Sequence, residues 1–246
     1  MLQLLYILYF WLIFLPIFCL LTILTATVVV IGCLLGGERF FSYYPGMIWS
    51  RLTCYLSLCP VKVIGRELLD RRQSYIFVAN HQSAYDIFLL YGFLGFPFKW
   101  MLRRGIRKIP FVGVACRAAG FIFVDNSSPK AARQSIEDAE KCLRRRSSLI
   151  IFPEGSRSRD GKIARFHKGA FVVAQAENTS VVPVTLNGPY RVLPKGKITA
   201  RPHRMEIIIH PPLSIGKEQA EEKNGLQNFA DEIKQIISGD LWDEAR

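Results

Sequence analysis

The stretch that decides the fold covers residues 75–90 and reads Tyr75-Ile-Phe-Val-Ala-Asn-His-Gln-Ser-Ala-Tyr-Asp-Ile-Phe-Leu-Leu90. Residues 75–79 form a short aromatic and β-branched run, which predicts a buried strand. A polar turn follows, and an apolar segment at residues 84–94 predicts a helix with Ser83 as its N-cap. A strand that passes through a polar turn into a helix is typical of α/β proteins, whose active sites open where strands end.

The alternation of strands and helices continues on both sides of this stretch. Further strands are predicted at residues 61–64, 120–124, 148–152, 181–186 and 204–209. Further helices are predicted at residues 129–145, 169–177 and 217–238. This pattern predicts an α/β domain over residues 60–246, with a mixed, largely parallel sheet flanked by helices.

The N-terminal part of the chain has a different composition. Residues 1–37 contain no Asp, Glu, Lys, Arg or His. As a helix, residues 2–35 would extend roughly 50 Å against a hydrocarbon core of about 30 Å. Such a helix must tilt, kink at Pro16 or lie within one leaflet. A cleaved signal peptide is disfavoured, because no basic segment precedes the apolar run and the run is too long.

A second apolar stretch, rich in aromatic residues, covers residues 39–59. Aromatic residues mixed with arginines suit the interface between headgroups and acyl chains, whereas a core helix of the soluble domain is the alternative interpretation. We therefore predict a two-helix membrane anchor at residues 1–59. Because positive charge begins only after the first run, the domain is predicted to lie on the cytoplasmic side.

The net charge of +12 predicts an anionic partner. Nucleic acid is the weakest candidate, since the apolar start favours a membrane surface or a phosphorylated substrate. The six cysteines include no C-x-x-C pair, and the four histidines are scattered away from them. The cysteine and histidine spacing therefore argues against a metal site and against a disulfide framework.

His81 and Asp86 are the candidate catalytic residues. On one continuous helix they would point about 140° apart. With His81 in the preceding loop, the chain can fold back so that the carboxylate of Asp86 meets the imidazole. A carboxylate that orients a histidine is the arrangement that a general base requires. A histidine that merely caps the helix is the alternative for this pair taken alone.

Three further blocks follow in the sequence. Residues 120–126 read Gly-Phe-Ile-Phe-Val-Asp-Asn, and residues 150–158 read Ile-Ile-Phe-Pro-Glu-Gly-Ser-Arg-Ser. The second of these ends a predicted strand in a polar turn, with a glycine for close backbone approach and an arginine suited to phosphate. The last block is Val-Val-Pro-Val at residues 181–184. Residues 99–117 also carry six basic residues and no acidic one.

The four blocks, in this order, resemble the glycerolipid acyltransferase family, and among its members those that acylate 1-acyl-sn-glycerol 3-phosphate. The H-x-x-x-x-D block is residues 81–86, and the E-G-[TS]-R-S block is residues 154–158. The resemblance covers roughly residues 61–213, and the hydrophobic two-part start is similar to the anchor of bacterial members.

The resemblance implies a transfer of a fatty acyl group from an acyl thioester, acyl-CoA or acyl carrier protein, to the sn-2 hydroxyl of lysophosphatidic acid. The product would be phosphatidic acid, a step of phospholipid biosynthesis. His81 would be the general base and Asp86 its orienting partner, without acyl-enzyme, metal or cofactor. Glu154, Gly155, Ser156 and Arg157 would form the acceptor-phosphate site. A bacterial inner membrane is the expected location.

Two positions depart from the family pattern. Asn126 stands where members usually carry a basic residue, and Arg103 or Arg104 where many carry a lysine. Lys130, Arg133 and the Arg103–Lys108 cluster, which includes Arg104, are therefore further candidates for phosphate binding. These departures leave the reaction class intact and open the choice of acceptor to another lysophospholipid or lipid. The hypothesis from another class is a catalytically silent lipid-binding module.

Overall fold

The computed structural model describes residues 2–125 and 127–242, and within them it shows helices on both faces of a seven-stranded sheet. The strands are Val61–Ile64 (β1), Ile76–Ala79 (β2), Phe98–Arg103 (β3), Ile122–Val124 (β4), Ser148–Ile151 (β5), Val181–Asn187 (β6) and Met205–Ile209 (β7). The helices are Leu2–Tyr9 (α1), Leu15–Leu34 (α2), Glu38–Phe41 (α3), Tyr44–Leu56 (α4), Tyr85–Phe93 (α5), Val112–Ala118 (α6), Pro129–Arg144 (α7), Gly169–Ala176 (α8), Pro189–Val192 (α9), Lys217–Glu221 (α10) and Gly225–Gly239 (α11).

The strand order in the sheet is β1-β7-β6-β2-β5-β3-β4. From β6 to β4 all neighbours are parallel, whereas β7 runs antiparallel to β6 and pairs in parallel with β1. The predicted mixed, largely parallel sheet is therefore confirmed. Phe77, at the centre of β2, pairs with Ile150 of β5 and Val182 of β6. Because these three central strands are parallel, their carboxyl ends meet at one edge of the sheet.

Strand β2 separates two hydrophobic cores. The side chains of Phe77 and Ala79 belong to the core that contains α4, α5 and the N-terminal helices. Those of Ile76 and Val78 belong to the core formed with α7, α8 and α11. All four residues of β2 are buried, as expected for a parallel strand covered on both faces. The N-terminal helices and α5 thus lie on the same face of the sheet.

The N-terminal apolar run is helical throughout, with one irregular turn. A π-helical turn at Phe10–Phe14 joins α1 to α2, and the N–H of Leu15 donates to the carbonyl of Phe10, five residues back. Pro16 lies in the first turn of α2 and has no N–H to donate, so the wider turn accommodates its ring. Among the described residues, one segment, Leu4–Leu34, is long and apolar enough to cross a membrane.

Helix α4 combines both interpretations of the second apolar stretch. Ile48 and Tyr55 are exposed, as an interfacial helix requires. The opposite side packs on α5, where a side chain at Gly46 would collide with the ring of Tyr91. The hydroxyl of Tyr91 donates to the carbonyl of Ser42 at 2.7 Å, and Nε of Arg51 donates to that of Gly92 at 2.7 Å. The predicted anchor is therefore packed directly on the helix that carries Asp86.

Several elements differ from the sequence prediction. Strand β3 was missed because its basic residues were counted with the charged cluster, although Phe98 and Trp100 are buried in strand alternation. The short helix α6 within the same cluster was also missed. The helix predicted at residues 217–238 is two helices. Asn224 adopts a φ of +70°, which a right-handed helix cannot contain, so the helix is interrupted between α10 and α11.

Candidate active site

Two loops meet at the edge where the central parallel strands end. His81 lies in the loop after β2, and Glu154 lies in the loop after β5. The backbone N–H of His81 donates to Oε1 of Glu154 at 2.7 Å, and the N–H of Ser158 donates to the carbonyl of His81 at 2.8 Å. Asn80 fixes the start of the first loop, because its amide makes two hydrogen bonds with the backbone of Leu186 in β6. The histidine backbone is thus fixed by both neighbouring strands.

The imidazole of His81 is bonded to Asp86 as the spacing predicts. Nδ1 of His81 donates to Oδ2 of Asp86 at 2.7 Å, since a carboxylate can only accept. The same oxygen accepts the backbone N–H groups of Gln82 and Ser83, at 2.7 and 2.8 Å. The Asp86 side chain is fully buried in the first turn of α5, where the helix dipole favours a negative charge.

The predicted cap of α5 has a different role in the structure. Helix α5 begins at Tyr85, and its N-cap position is Ala84, which has no side chain that can cap. The Ser83 hydroxyl accepts the N–H of Tyr85 at 3.1 Å and donates to the carbonyl of Leu193 at 2.8 Å. Ser83 therefore joins the histidine loop to the segment after α9.

The ring of His81 is held by a residue that the sequence analysis did not single out. It stacks on Phe152, with ring centroids 3.9 Å apart and planes inclined by 9°. The His81 side chain is 15% exposed. With Nδ1 bonded to Asp86 and one face covered by Phe152, Nε2 is the nitrogen left to take up a proton. The sequence signal that could have identified Phe152 was its position next to the Pro-Glu-Gly turn.

Glu154 links the two loops. Its second carboxylate oxygen, Oε2, accepts the N–H of Ala164 at 2.8 Å, so both oxygens are bonded to backbone. Burial raises the pKa of Glu154, and the hydrogen bonds from Ala164 and His81 act in the opposite direction. A carboxylate with both oxygens occupied in this way positions His81. Its part in the acceptor-phosphate site stays a prediction.

Replacing Glu154 with glutamine tests this positioning role. The amide would present N–H groups to one of two backbone N–H donors, and a buried donor left unpaired costs about 1–3 kcal/mol. We expect a lower unfolding temperature in detergent and a lower kcat, with the acceptor KM unchanged. Glu137→Gln, on the exposed side of α7, is the control. A change confined to the acceptor KM would instead place Glu154 in the substrate site.

The rest of the E-G-S-R-S turn is more open. Gly155 has a φ of +70°, a conformation that side chains disfavour, and Gly155 and Ser156 are exposed. Arg157 is half-buried, and its carbonyl accepts a hydrogen bond from Nζ of Lys195 at 2.9 Å. Lys195 was missed, because its contact with the turn spans 38 residues of sequence. It adds a positive charge beside Arg157.

Three of the basic residues that were also predicted to bind phosphate lie in different places. Arg103 ends β3 at the same edge as His81, and its side chain is exposed. Arg104 forms an ion pair with Asp125 at 2.6 Å. Lys130 is exposed in the first turn of α7, and no contact of its side chain with the two loops occurs within the described residues. Asn126 lies outside the described residues. The structure thus brings together His81, Asp86 and the turn of Arg157, with Arg103 at the same edge.

Metal ligands were not predicted for this chain. Across residues 2–125 and 127–242, no group of three or more His, Cys, Asp or Glu side chains is arranged to hold a metal ion. The six cysteines are free thiols, and the pKa of Cys54 and Cys116 is raised by burial. Burial of this kind makes a thiol unreactive, which separates these residues from the chemistry at His81.

Comparisons with known proteins find a matching family and similar proteins of one reaction class. The model of a family described as Acyltransferase matches residues 60–187. A chloroplastic 1-acyl-sn-glycerol-3-phosphate acyltransferase of Arabidopsis thaliana is 30% identical over 211 residues, which are 81% of this chain and 59% of that protein. A 1-acyl-sn-glycerol-3-phosphate acyltransferase of Borreliella burgdorferi is 29% identical over 179 residues, covering 73% of this chain and 72% of that protein.

The fold matches a solved structure as well. The crystal structure of the 1-acyl-sn-glycerophosphate acyltransferase from Thermotoga maritima superposes with a TM-score of 0.73 and 25% sequence identity. The match covers 93% of this chain and 98% of that one. By contrast, the chain spans about three fifths of the length of the plant relatives from Arabidopsis thaliana and Brassica napus.

Proposed function

The chain belongs to the acyltransferase family, and on that basis we propose that it acylates lysophosphatidic acid at the membrane. A fatty acyl group would pass from an acyl thioester, acyl-CoA or acyl carrier protein, to the sn-2 hydroxyl, giving phosphatidic acid for phospholipid biosynthesis. The observation that carries the proposal is the 2.7 Å bond between Nδ1 of His81 and Oδ2 of Asp86, at the edge where the central strands end. The names of the relatives support the choice of acceptor.

The proposed reaction proceeds in two steps through side chains of this site. Nε2 of His81 takes the proton of the sn-2 hydroxyl as that oxygen attacks the thioester carbonyl. The tetrahedral adduct then collapses, the carbon–sulfur bond breaks, and the imidazolium returns the proton to the leaving thiolate. Asp86 holds the ring and stabilises the imidazolium between the two steps. The acyl group goes directly to the acceptor, so the reaction uses no acyl-enzyme and no cofactor.

Arg157 is the proposed ligand of the acceptor phosphate. An arginine presents several N–H donors in a plane that suits phosphate oxygens. Gly155 and Ser156 are exposed beside it, so the Ser156 hydroxyl can approach the same phosphate. Arg103 extends the positive charge along this edge. Glu154 then belongs to the site through the position that it gives to His81.

Replacing Arg157 with alanine should mainly raise the acceptor KM, by roughly 10- to 100-fold for the loss of a charge-assisted hydrogen bond. The phosphate is bound equally in the ground state and the transition state, so kcat should change little. The measurement is a titration of acceptor at saturating acyl-CoA. Arg159→Ala, two residues along and exposed, is the matched control. An unchanged KM in Arg157→Ala would move the phosphate site elsewhere.

We also propose where the enzyme lies. The helical segment Leu4–Leu34 supports membrane attachment through residues 1–59, with residues 60–246 as the catalytic domain. The basic residues that follow the apolar run support a cytoplasmic position of that domain. A bacterial inner membrane is the proposed location, in line with the bacterial relatives from Borreliella burgdorferi and Pseudomonas aeruginosa.

The decisive experiment is a substrate comparison with protein purified in detergent. Thiol release from acyl-CoA and from acyl carrier protein is measured with lysophosphatidic acid, glycerol 3-phosphate and lysophosphatidylcholine as acceptors. Activity confined to lysophosphatidic acid supports the proposal and settles the donor. Activity on another acceptor keeps the mechanism and overturns the substrate. A folded protein that is inactive on every pair would be the silent lipid-binding module.

A further inference from the structure

An exposed apolar surface lies on the segment that leads from β3 into α6. The proposed reaction does not use this surface. Residues 104–114, called here the 104–114 segment, comprise a 3-10 turn at Arg104–Lys108, a short link and the start of α6. Three large apolar side chains of this segment are exposed: Ile109 by 45%, Phe111 by 54% and Val114 by 45%. Apolar side chains clustered on the surface in this way mark an interaction site more often than solitary ones do.

The apolar side chains of the 104–114 segment are surrounded by positive charge. Arg107 and Lys108 are exposed next to Ile109, and Arg117 is exposed one turn further along α6. Residues 99–117 contain no acidic residue that would offset them. An apolar tip flanked by basic residues is the composition that binds the headgroup layer of an anionic membrane.

The backbone of Phe111 is strained. Its φ is +58° and its ψ is −52°, a region that residues with a Cβ rarely adopt. Strain of this kind persists where the surrounding structure imposes it, and it concentrates at functional sites. Here the N–H of Val112 donates to the carbonyl of Pro110 at 2.6 Å, which closes a tight turn at Phe111, and the Phe111 side chain is 54% exposed.

The 104–114 segment is connected to the proposed anchor through helix α6. Helix α6, which the segment leads into, packs on α2: Ala115 and Ala119 line one apolar cavity together with Ala26 and Val29. At the end of α6, Nζ of Lys99 bonds both Oε1 of Glu38 in α3, at 2.9 Å, and the carbonyl of Ala119, at 2.5 Å. The segment is therefore fixed beside the helix that is to enter the membrane.

We propose that the 104–114 segment is a second membrane-docking surface, which inserts Ile109, Phe111 and Val114 into an anionic lipid bilayer. Arg107 and Lys108 would lie at the level of the lipid phosphates. An acidic acyl carrier would also match the charge, but the exposed apolar side chains and the contact with α2 favour lipid. Docking would bring the edge that carries Arg103 and His81 to the headgroup layer, where a lysophospholipid resides. The inference rests on the proposed membrane attachment.

The test uses tryptophan as a reporter of depth in the full-length protein, reconstituted into vesicles of phosphatidylcholine and phosphatidylglycerol. Phe111→Trp and, separately, Ile109→Trp are compared with the wild type, whose Trp11, Trp49, Trp100 and Trp242 give the background fluorescence. Bromine atoms on the lipid chains quench tryptophan that enters the bilayer. The control is Gln235→Trp, on the exposed side of α11 across the sheet.

We expect the fluorescence added by Phe111→Trp or Ile109→Trp to shift to shorter wavelength on vesicle binding and to be lost in brominated vesicles. The fluorescence added by Gln235→Trp should do neither. Quenching of both segment variants no greater than that of Gln235→Trp, in protein that floats with the vesicles, would overturn the inference and leave the surface to a soluble acidic partner. Protein that fails to float at all would overturn the membrane attachment itself, which separates the two failures.

Discussion

Replacing His81 with alanine is expected to lower kcat by roughly 10²- to 10⁴-fold, the contribution of a well-placed general base. The fold should survive, because the backbone bonds of His81 to Glu154 and Ser158 do not involve the imidazole. The acceptor KM should stay close to that of the wild type, since Arg157 is untouched. Steady-state thiol release with saturating lysophosphatidic acid measures the loss, and circular dichroism checks the fold.

A second histidine provides the control for this substitution. His203 lies just before β7, and its ring is 6.5 Å from that of Trp242. In the sheet, β7 is separated from β5 by β6 and β2. His203→Ala should therefore keep its activity. Substantial turnover by His81→Ala, under conditions where His203→Ala matches the wild type, would remove His81 from the mechanism and with it the main support for the proposed function.

Replacing Asp86 with asparagine should separate the charge of the carboxylate from its geometry. In serine proteases an asparagine at the corresponding position leaves the imidazole in the wrong tautomer, and kcat falls by roughly 10⁴. Here the backbone N–H groups of Gln82 and Ser83 both point at Oδ2. They should hold the amide oxygen in that place, where it still accepts the N–H of His81. The loss should then come mainly from the missing negative charge, at roughly 10²- to 10³-fold in kcat.

Asp86→Ala is the companion variant. It removes the acceptor for all three N–H groups, so it should cost more activity than Asp86→Asn and should also lower the unfolding temperature. Equal losses in the two variants would show that the hydrogen bonds to the side-chain oxygen have no role apart from the charge. Activity of Asp86→Asn close to that of the wild type would show that His81 needs no carboxylate.

The sequence predicts what depends on local pattern. The strand predicted at residues 61–64 has the same bounds as β1, because Pro60 and Gly65 bound its short β-branched run. The turn between β2 and α5 was predicted with Asp86 in the first helical turn. The reason is that the hydrophobic pattern changes from strand to helix across this short polar turn. The pairing of His81 with Asp86 followed from the same local geometry.

The sequence does not predict contacts between distant segments. Glu154 bonds the backbone of His81 across 73 residues, and only the adjacency of β2 and β5 brings them together. The positioning contact of Glu154 with His81 was therefore not predicted. The stacking of Phe152 on His81 depends on the same strand order. Strand β3 was missed for a different reason, because its basic residues concealed the alternation of Phe98 and Trp100.

The contact between α4 and α5 bears on how this protein can evolve. A tether that only holds a domain at a surface can be exchanged by recombination with the tether of an unrelated protein. Here Gly46 leaves room for the ring of Tyr91, and Arg51 bonds the carbonyl of Gly92, so each partner is shaped to the other. A foreign segment would bring neither feature. The hydrophobic start and the catalytic helix are therefore expected to be inherited as one piece and to change through paired substitutions.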